Sequence, residues 1–193
     1  TGSNQSHVYY AKQNADGTLG VWNGTTSMPD SRRYHELIVS NGYLYALGGF
    51  SVSAQTNVWY AKINADGSLD KWNSSTNTLP VGTYSAAAVA ANGYLYITGG
   101  EGTETNTYYS PVNADGSVGT WNSTTSLPNS TLHNEHGAVV MNGYLYTLGG
   151  DGSATFGNVF FARLNANGTL GGWALSERGL PGIRSGFGGA VTA

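Results

Sequence analysis

Four tryptophans, Trp22, Trp72, Trp121 and Trp173, stand 50, 49 and 52 residues apart. The turn "NADG" keeps the same step at Asn14, Asn64 and Asn113 and returns as "NANG" at Asn165, and Pro29, Pro80, Pro128 and Pro181 follow in phase. A nine-residue phrase recurs as "NGYLYALGG" from Asn41, "NGYLYITGG" from Asn92 and "NGYLYTLGG" from Asn142. A period of this size means small equivalent units, none of which can bury its apolar surface alone.

Each period reads as four strands. In the stretch from Tyr34 to Pro80, "YHELIVS" is an apolar first strand that ends at Asn41-Gly42, a pair that tolerates the positive φ of a tight hairpin. "YLYALGG" is the second strand. Its period of two sends Tyr43, Tyr45 and Leu47 to one face and Leu44 and Ala46 to the other. A polar loop, "FSVSAQT", leads to the third strand, "NVWYAKI", which "NADG" turns into the fourth, "SLDKWNSS". Proline then closes the unit, because it cannot donate to a ladder. Apolar residues on both faces of the inner strands require cover on both sides, and a ring of sheets packed face to face supplies it.

The composition agrees with an all-β chain. Asp, Glu, Lys and Arg make up only 10% of it, against about 25% in an average globular protein. Thirteen tyrosines and abundant Gly, Asn, Ser and Thr favour strands and turns. The net charge is −3 and the eight basic residues are scattered, so neither a nucleic-acid groove nor an anionic-membrane patch is expected. No apolar run is long enough to span a bilayer as a helix. With no cysteine, disulfides and thiolate chemistry are excluded. Low charge with many hydroxyl and amide residues suggests an extracellular or cell-surface setting. The six Asn-x-Ser/Thr sequons, at Asn4, Asn23, Asn73, Asn122, Asn129 and Asn167, are few enough to arise by chance in so polar a chain.

A strand ending in Gly48-Gly49, Gly99-Gly100 or Gly149-Gly150, followed by Tyr60, Tyr109 or Phe161 and then by Trp72, Trp121 or Trp173, resembles the kelch repeat. The resemblance implies a β-propeller of four-stranded antiparallel blades. It extends over nearly the whole chain, with a longer Tyr-to-Trp interval than usual because "NADGSL" inserts a full hairpin. The units fall at 1–29 (strands three and four), 30–80, 81–128, 129–181 and 182–193 (strand one), which gives fifteen strands. About four blades are therefore represented, and one of them lacks its second strand. The start at Thr1 rather than Met fits a processed chain, an excised domain or a piece of a longer propeller.

Framework positions recur, so the differences between copies carry the information about function. They concentrate in the loop from strand two to three and in the connection from strand four to one, which emerge at one end of the ring. Arg32, Arg33, Tyr34, His35, Tyr84, His133, Glu135, His136 and Arg184 are the candidate ligand-binding residues there. "HNEH" at His133–His136 is the nearest approach to a metal motif, but no second ligand pair with diagnostic spacing supports it, so neither metal nor cofactor is expected. The "NADG" turns lack the pattern of a dedicated calcium loop. They resemble the Asp-box of sialidase-like propellers with one residue too many between Asp16 and Trp22, and Asn167 replaces Asp in the fourth copy. A hairpin's backbone needs account for them. The four repeated tryptophans, and Trp59, are expected between blades.

No nucleophile motif, phosphate loop or paired carboxylates appear, and the Tyr–Cys cofactor of the copper oxidase in the kelch class needs a cysteine this chain lacks. The expectation is a non-catalytic module that binds a protein or a glycan through its variable loops. The alternative is a self-assembling homo-oligomer in which a neighbour's strand completes the open blade. A third reading is a piece of a propeller enzyme whose active residues lie in other blades.

Overall fold

A computed structural model describes residues 3–102, 105–128, 134–151, 157–182 and 185–186. The described residues form fourteen strands and no helix, so none is long and apolar enough to cross a membrane. Strands β1 (Val8–Tyr10) and β2 (Asn23–Thr25) make a two-stranded sheet. Three four-stranded sheets follow, each antiparallel and in chain order. The first is β3 (Glu36–Ser40), β4 (Tyr43–Leu47), β5 (Val58–Lys62) and β6 (Asn73–Ser74). The second is β7 (Ala87–Ala91), β8 (Tyr94–Thr98), β9 (Thr107–Pro111) and β10 (Asn122–Thr124). The third is β11 (Gly137–Met141), β12 (Tyr144–Leu148), β13 (Val159–Arg163) and β14 (Ala174–Leu175). The fifteenth expected strand, in 182–193, lies outside the described residues apart from its first few.

The sheets stack as the blades of an incomplete propeller, with β3 and β11 both lying along β7. Alternation along each second strand produces two opposed faces. Tyr45 and Leu47 point forward onto Leu95, Ile97 and Val118 of the next sheet. Ala46, Trp59, Leu69 and Trp72 point back onto Val8 and Met28. Tyr96 repeats the forward contact onto Leu145, Ala162 and Leu170. At roughly 25 cal/mol per Å² of apolar area removed from water, these interfaces dominate the stability of units too thin to have cores of their own.

The fourth strand differs from a continuous one. Between the Ile63–Leu69 bridge and the Tyr60–Asn73 pair it has one residue more than the third strand, and the other three units repeat this. That is a β-bulge, and Trp72 sits in it. The turns themselves are closed as hairpin chemistry requires. Asp66 accepts from the Ser68 amide at 2.9 Å and hydroxyl at 2.6 Å, while the Gly67 amide donates to the Asn64 carbonyl at 2.9 Å. Those bonds hold the Asp66 carboxyl below the usual carboxylate range.

Polar clasps join the blades. At the first junction the Thr26 hydroxyl donates to the Leu69 carbonyl (2.9 Å), the Leu69 amide to Thr25 Oγ1 (2.8 Å), and Trp72 Nε1–H to the Thr26 carbonyl (2.9 Å). Thr124, Thr125, Leu170 and Trp173 repeat the set at the third junction. At the second, Asn77 Nδ2 donates to the Val118 carbonyl at 2.9 Å instead. Trp72 and Trp121 are buried and Trp173 half-buried between blades, as expected, but Trp22 is exposed, because among the described residues no sheet packs on its face.

Candidate functional site

The connections from strand four to strand one lie beside the loops from strand two to three at one end of the molecule. Antiparallel bridges Arg33–Phe50, Tyr84–Glu101 and Asn134–Asp151 continue each inner hairpin beyond its glycine pair, and Gln55–Thr83 joins one blade to the next. The glycines are needed for this approach. A Cβ on Gly48 would stand 2.5 Å from the Thr83 carbonyl oxygen, and one on Gly100 2.8 Å from that of Tyr84.

Just before each inner strand, four equivalent residues take left-handed backbone conformations: Tyr34 (φ 57), Ser85 (φ 52), Glu135 (φ 52) and Gly186 (φ 66). Their main chains are linked in series. The Ser85 amide donates to the Tyr34 carbonyl at 3.0 Å, the Glu135 amide to Ser85 at 2.8 Å, and the Gly186 amide to Glu135 at 2.9 Å. This backbone rail runs from blade to blade around the mouth of a cleft of about 470 Å³, lined by Tyr34, Glu36, Ser85, Glu135 and Gly186 with the first residues of β7 and β11. The conformation disfavours side chains, most of all bulky ones, by about 1–2 kcal/mol. Three of the four positions carry one nevertheless.

Beside the rail, aromatic and cationic groups gather across the boundary between the first two full blades. The Arg33 guanidinium lies 4.8 Å from the Phe50 ring centre and 5.4 Å from that of Tyr34. Tyr84 meets Phe50 edge-on at 5.1 Å and Tyr34 at 6.2 Å. Tyr34 is 55% exposed, so the cluster opens to solvent. Aromatic faces beside a guanidinium can stack on a sugar ring or a planar side chain and donate to hydroxyl or carboxylate oxygens. Inside the cleft mouth, burial pushes the Glu36 carboxyl up to about 7.

Of the candidate residues, Arg33, Tyr34 and Tyr84 come together in this cluster, and Glu135 stands exposed on the rail. Arg32 lies beneath the loops. Its guanidinium stacks 3.5 Å over Trp59 and Nη1 donates to the Gly48 carbonyl at 2.6 Å. Burial lowers its pKa to about 10, against the opposing pull of Asp30, 4.0 Å away. Thr83, the matching residue one blade on, makes a longer bond to the Gly99 carbonyl, so this position ties down the glycine pair. His35 is half-buried against Gly49, and burial, then Arg32, keeps it below the ordinary histidine range. His136 is buried with Nε2 2.6 Å from the Thr98 hydroxyl, a tie between blades. His133 and Arg184 lie outside the described residues. Among the described residues no group of three His, Asp or Glu side chains is placed to hold a metal.

Phe50 and Ser85 were not legible as site residues. Phe50 directly follows a glycine pair, a position that reverses the chain toward the rim, and Ser85 shares only its backbone with its counterparts. The sequence matches no family model and no curated protein.

Proposed function

We propose that this chain is a non-catalytic binding module of a kelch-like propeller, acting outside the cell or on its surface, and that it recognises a protein or a glycan at the rail and the adjoining aromatic cluster. The observation that carries the proposal is the contrast at positions 34, 85, 135 and 186. One backbone conformation and one hydrogen-bonded rail recur there under Tyr, Ser, Glu and Gly, so the scaffold is kept while the exposed chemistry differs. Arg33, Tyr34, Phe50 and Tyr84 supply the stacking surface, and Glu135 an acceptor at its edge. A pairing of glycine-ended second strands with Tyr on the third and Trp on the fourth supports the kelch assignment.

The test is a glycan and protein array probed with the chain and with Tyr34→Ala and Arg33→Ala. A ligand retained by the native chain and weakened about tenfold or more by either change supports the rim as the site, since stacking and cation–π contacts of this kind contribute about 0.5–2 kcal/mol each. Equal retention by both variants rejects it.

A further inference from the structure

Glu36, Ala87 and Gly137 are equivalent positions. Each lies two residues beyond a rail residue and opens the first strand of its blade, β3, β7 or β11. Two of the three copies place a residue with no polar side chain there, and both are buried. The first copy places a glutamate, half-buried. Among the described residues its carboxyl has no hydrogen-bond or ion-pair partner. A carboxyl taken partly out of water without a partner costs the fold stability, and Ala87 and Gly137 show that the strand does not require one.

The same glutamate lines the cleft of about 470 Å³ between the first residues of β3, β7 and β11. Leu37, Ala86, Ala87, Ala88 and Ala138 give that cleft walls of methyl groups. His136, also in the wall, is tied to the Thr98 hydroxyl. At the mouth stand the exposed Tyr34 ring and the exposed Glu135. Among the described residues no lysine or arginine lines the cleft.

We propose that this cleft receives a basic side chain, lysine or arginine, of a partner protein, and that Glu36 pairs with its charged end. An alkyl stem suits methyl walls while its charged end seeks a carboxylate. Glu135 and the face of the Tyr34 ring attract the same charge at the entrance. A sugar would instead set several hydroxyl groups against walls that offer few partners. Burial holds the unliganded Glu36 carboxyl up at about 7, and an incoming cation stabilises its ionised form. The inference rests on the reading of this end of the molecule as its binding face, and narrows the partner there to a protein with an exposed basic residue.

Backbone amide NMR of the 193-residue chain at pH 8, where Glu36 is ionised, tests this. The probes are acetyl-Gly-Lys-Gly-amide, its arginine counterpart, and its uncharged norleucine counterpart. At least one basic peptide should shift the amides of Glu36, Ala87 and Ala138 saturably, and norleucine should bind at least about tenfold more weakly. Glu36→Gln should reduce the basic peptide to the norleucine level, and Glu36→Asp should restore part of the difference. Glu36→Ala, the residue its counterpart in β7 carries, replaces Glu36→Gln if circular dichroism shows the latter unfolded. No shift with either basic peptide at millimolar concentration overturns the proposal. So do equal binding of the norleucine peptide, shifts confined to other residues, or basic-peptide binding that survives loss of the carboxyl. A ligand found on the array that Tyr34→Ala weakens and Glu36→Gln does not would leave the binding face standing and remove the cleft from it.

Discussion

Tyr45 donates its hydroxyl to the carbonyl of Gly116, 2.8 Å away across the boundary between two blades. The bond is buried, and burial pushes the phenol up to about 12, which keeps it a neutral donor around neutral pH. It joins the second strand of one repeat to the turn of the next, whereas the matching Tyr96 hydroxyl one blade on is buried without such a bond.

Gly116→Ala and Gly17→Ala separate the two demands on these turn glycines. Both sites have φ above 80°, so each change carries the left-handed penalty of about 1 kcal/mol. Only the first drives a methyl into the Tyr43 ring, adding roughly 1–3 kcal/mol. Urea unfolding should show Gly116→Ala the more destabilised by that amount, and equal midpoints would discount the interface contact.

The Thr–Trp clasp makes a second prediction. Thr26→Val removes the donor to Leu69 and Trp72→Phe the donor to Thr26, each at a cost of about 0.5–1.5 kcal/mol from the hydrogen bond, with packing changes added for the tryptophan. Both bonds close one junction, so a double-mutant cycle should give a coupling of roughly 0.5 kcal/mol or more. Strict additivity would mean that the clasp does not act as a unit.

Tyr34 should be a residue that costs the fold stability. Tyr34→Gly relieves the strain at φ 57, and the gain of about 1–2 kcal/mol is partly offset by the greater freedom of glycine in the unfolded chain. Thermal unfolding should show equal or higher stability than the native chain, while ligand retention on the array falls. A marked loss of stability would show that Tyr34 is a packing residue.

Glu36 should make stability depend on pH in an unusual direction. Burial raises its folded-state pKa from 4.5 to about 7, so between those values the folded chain binds more of this proton than the unfolded chain does. Its contribution is therefore fully present below about pH 4.5 and is lost as pH rises through 7. Relative to Glu36→Gln, the native chain should lose stability across that window; a constant difference between the two would refute the raised pKa.

Much of the fold was legible because period-two alternation and hairpin turns act over a few residues. Tyr45 and Ala46 face opposite ways, as their positions along a strand demand, and the Asn64–Gly67 turn closes on its own side chains. The bulge at Trp72 was not legible. It depends on matching two strands across a turn, and the extra residue before each tryptophan does not by itself say how the two strands pair. The site was legible as a region only. Arg33, Tyr34 and Tyr84 meet as expected of loops at one end, but Arg32, one residue away, turns beneath them onto Trp59. The neighbouring side chains of an extended segment point opposite ways, and the sequence does not say which way is out. Phe50 enters through a bridge to Arg33 that a list of loops does not contain.

The rail through Tyr34, Ser85, Glu135 and Gly186 is made of main-chain atoms alone. A replacement at any of these points alters what the molecule presents without altering how the blades are held apart, provided the newcomer accepts the left-handed turn. Such a mouth can be diversified one residue at a time, each trial sequence inheriting a finished frame. Asn, Asp and Gly are the substitutions such drift admits most readily, and a library randomised at these four positions and their exposed neighbours would sample recognition with little cost to folding.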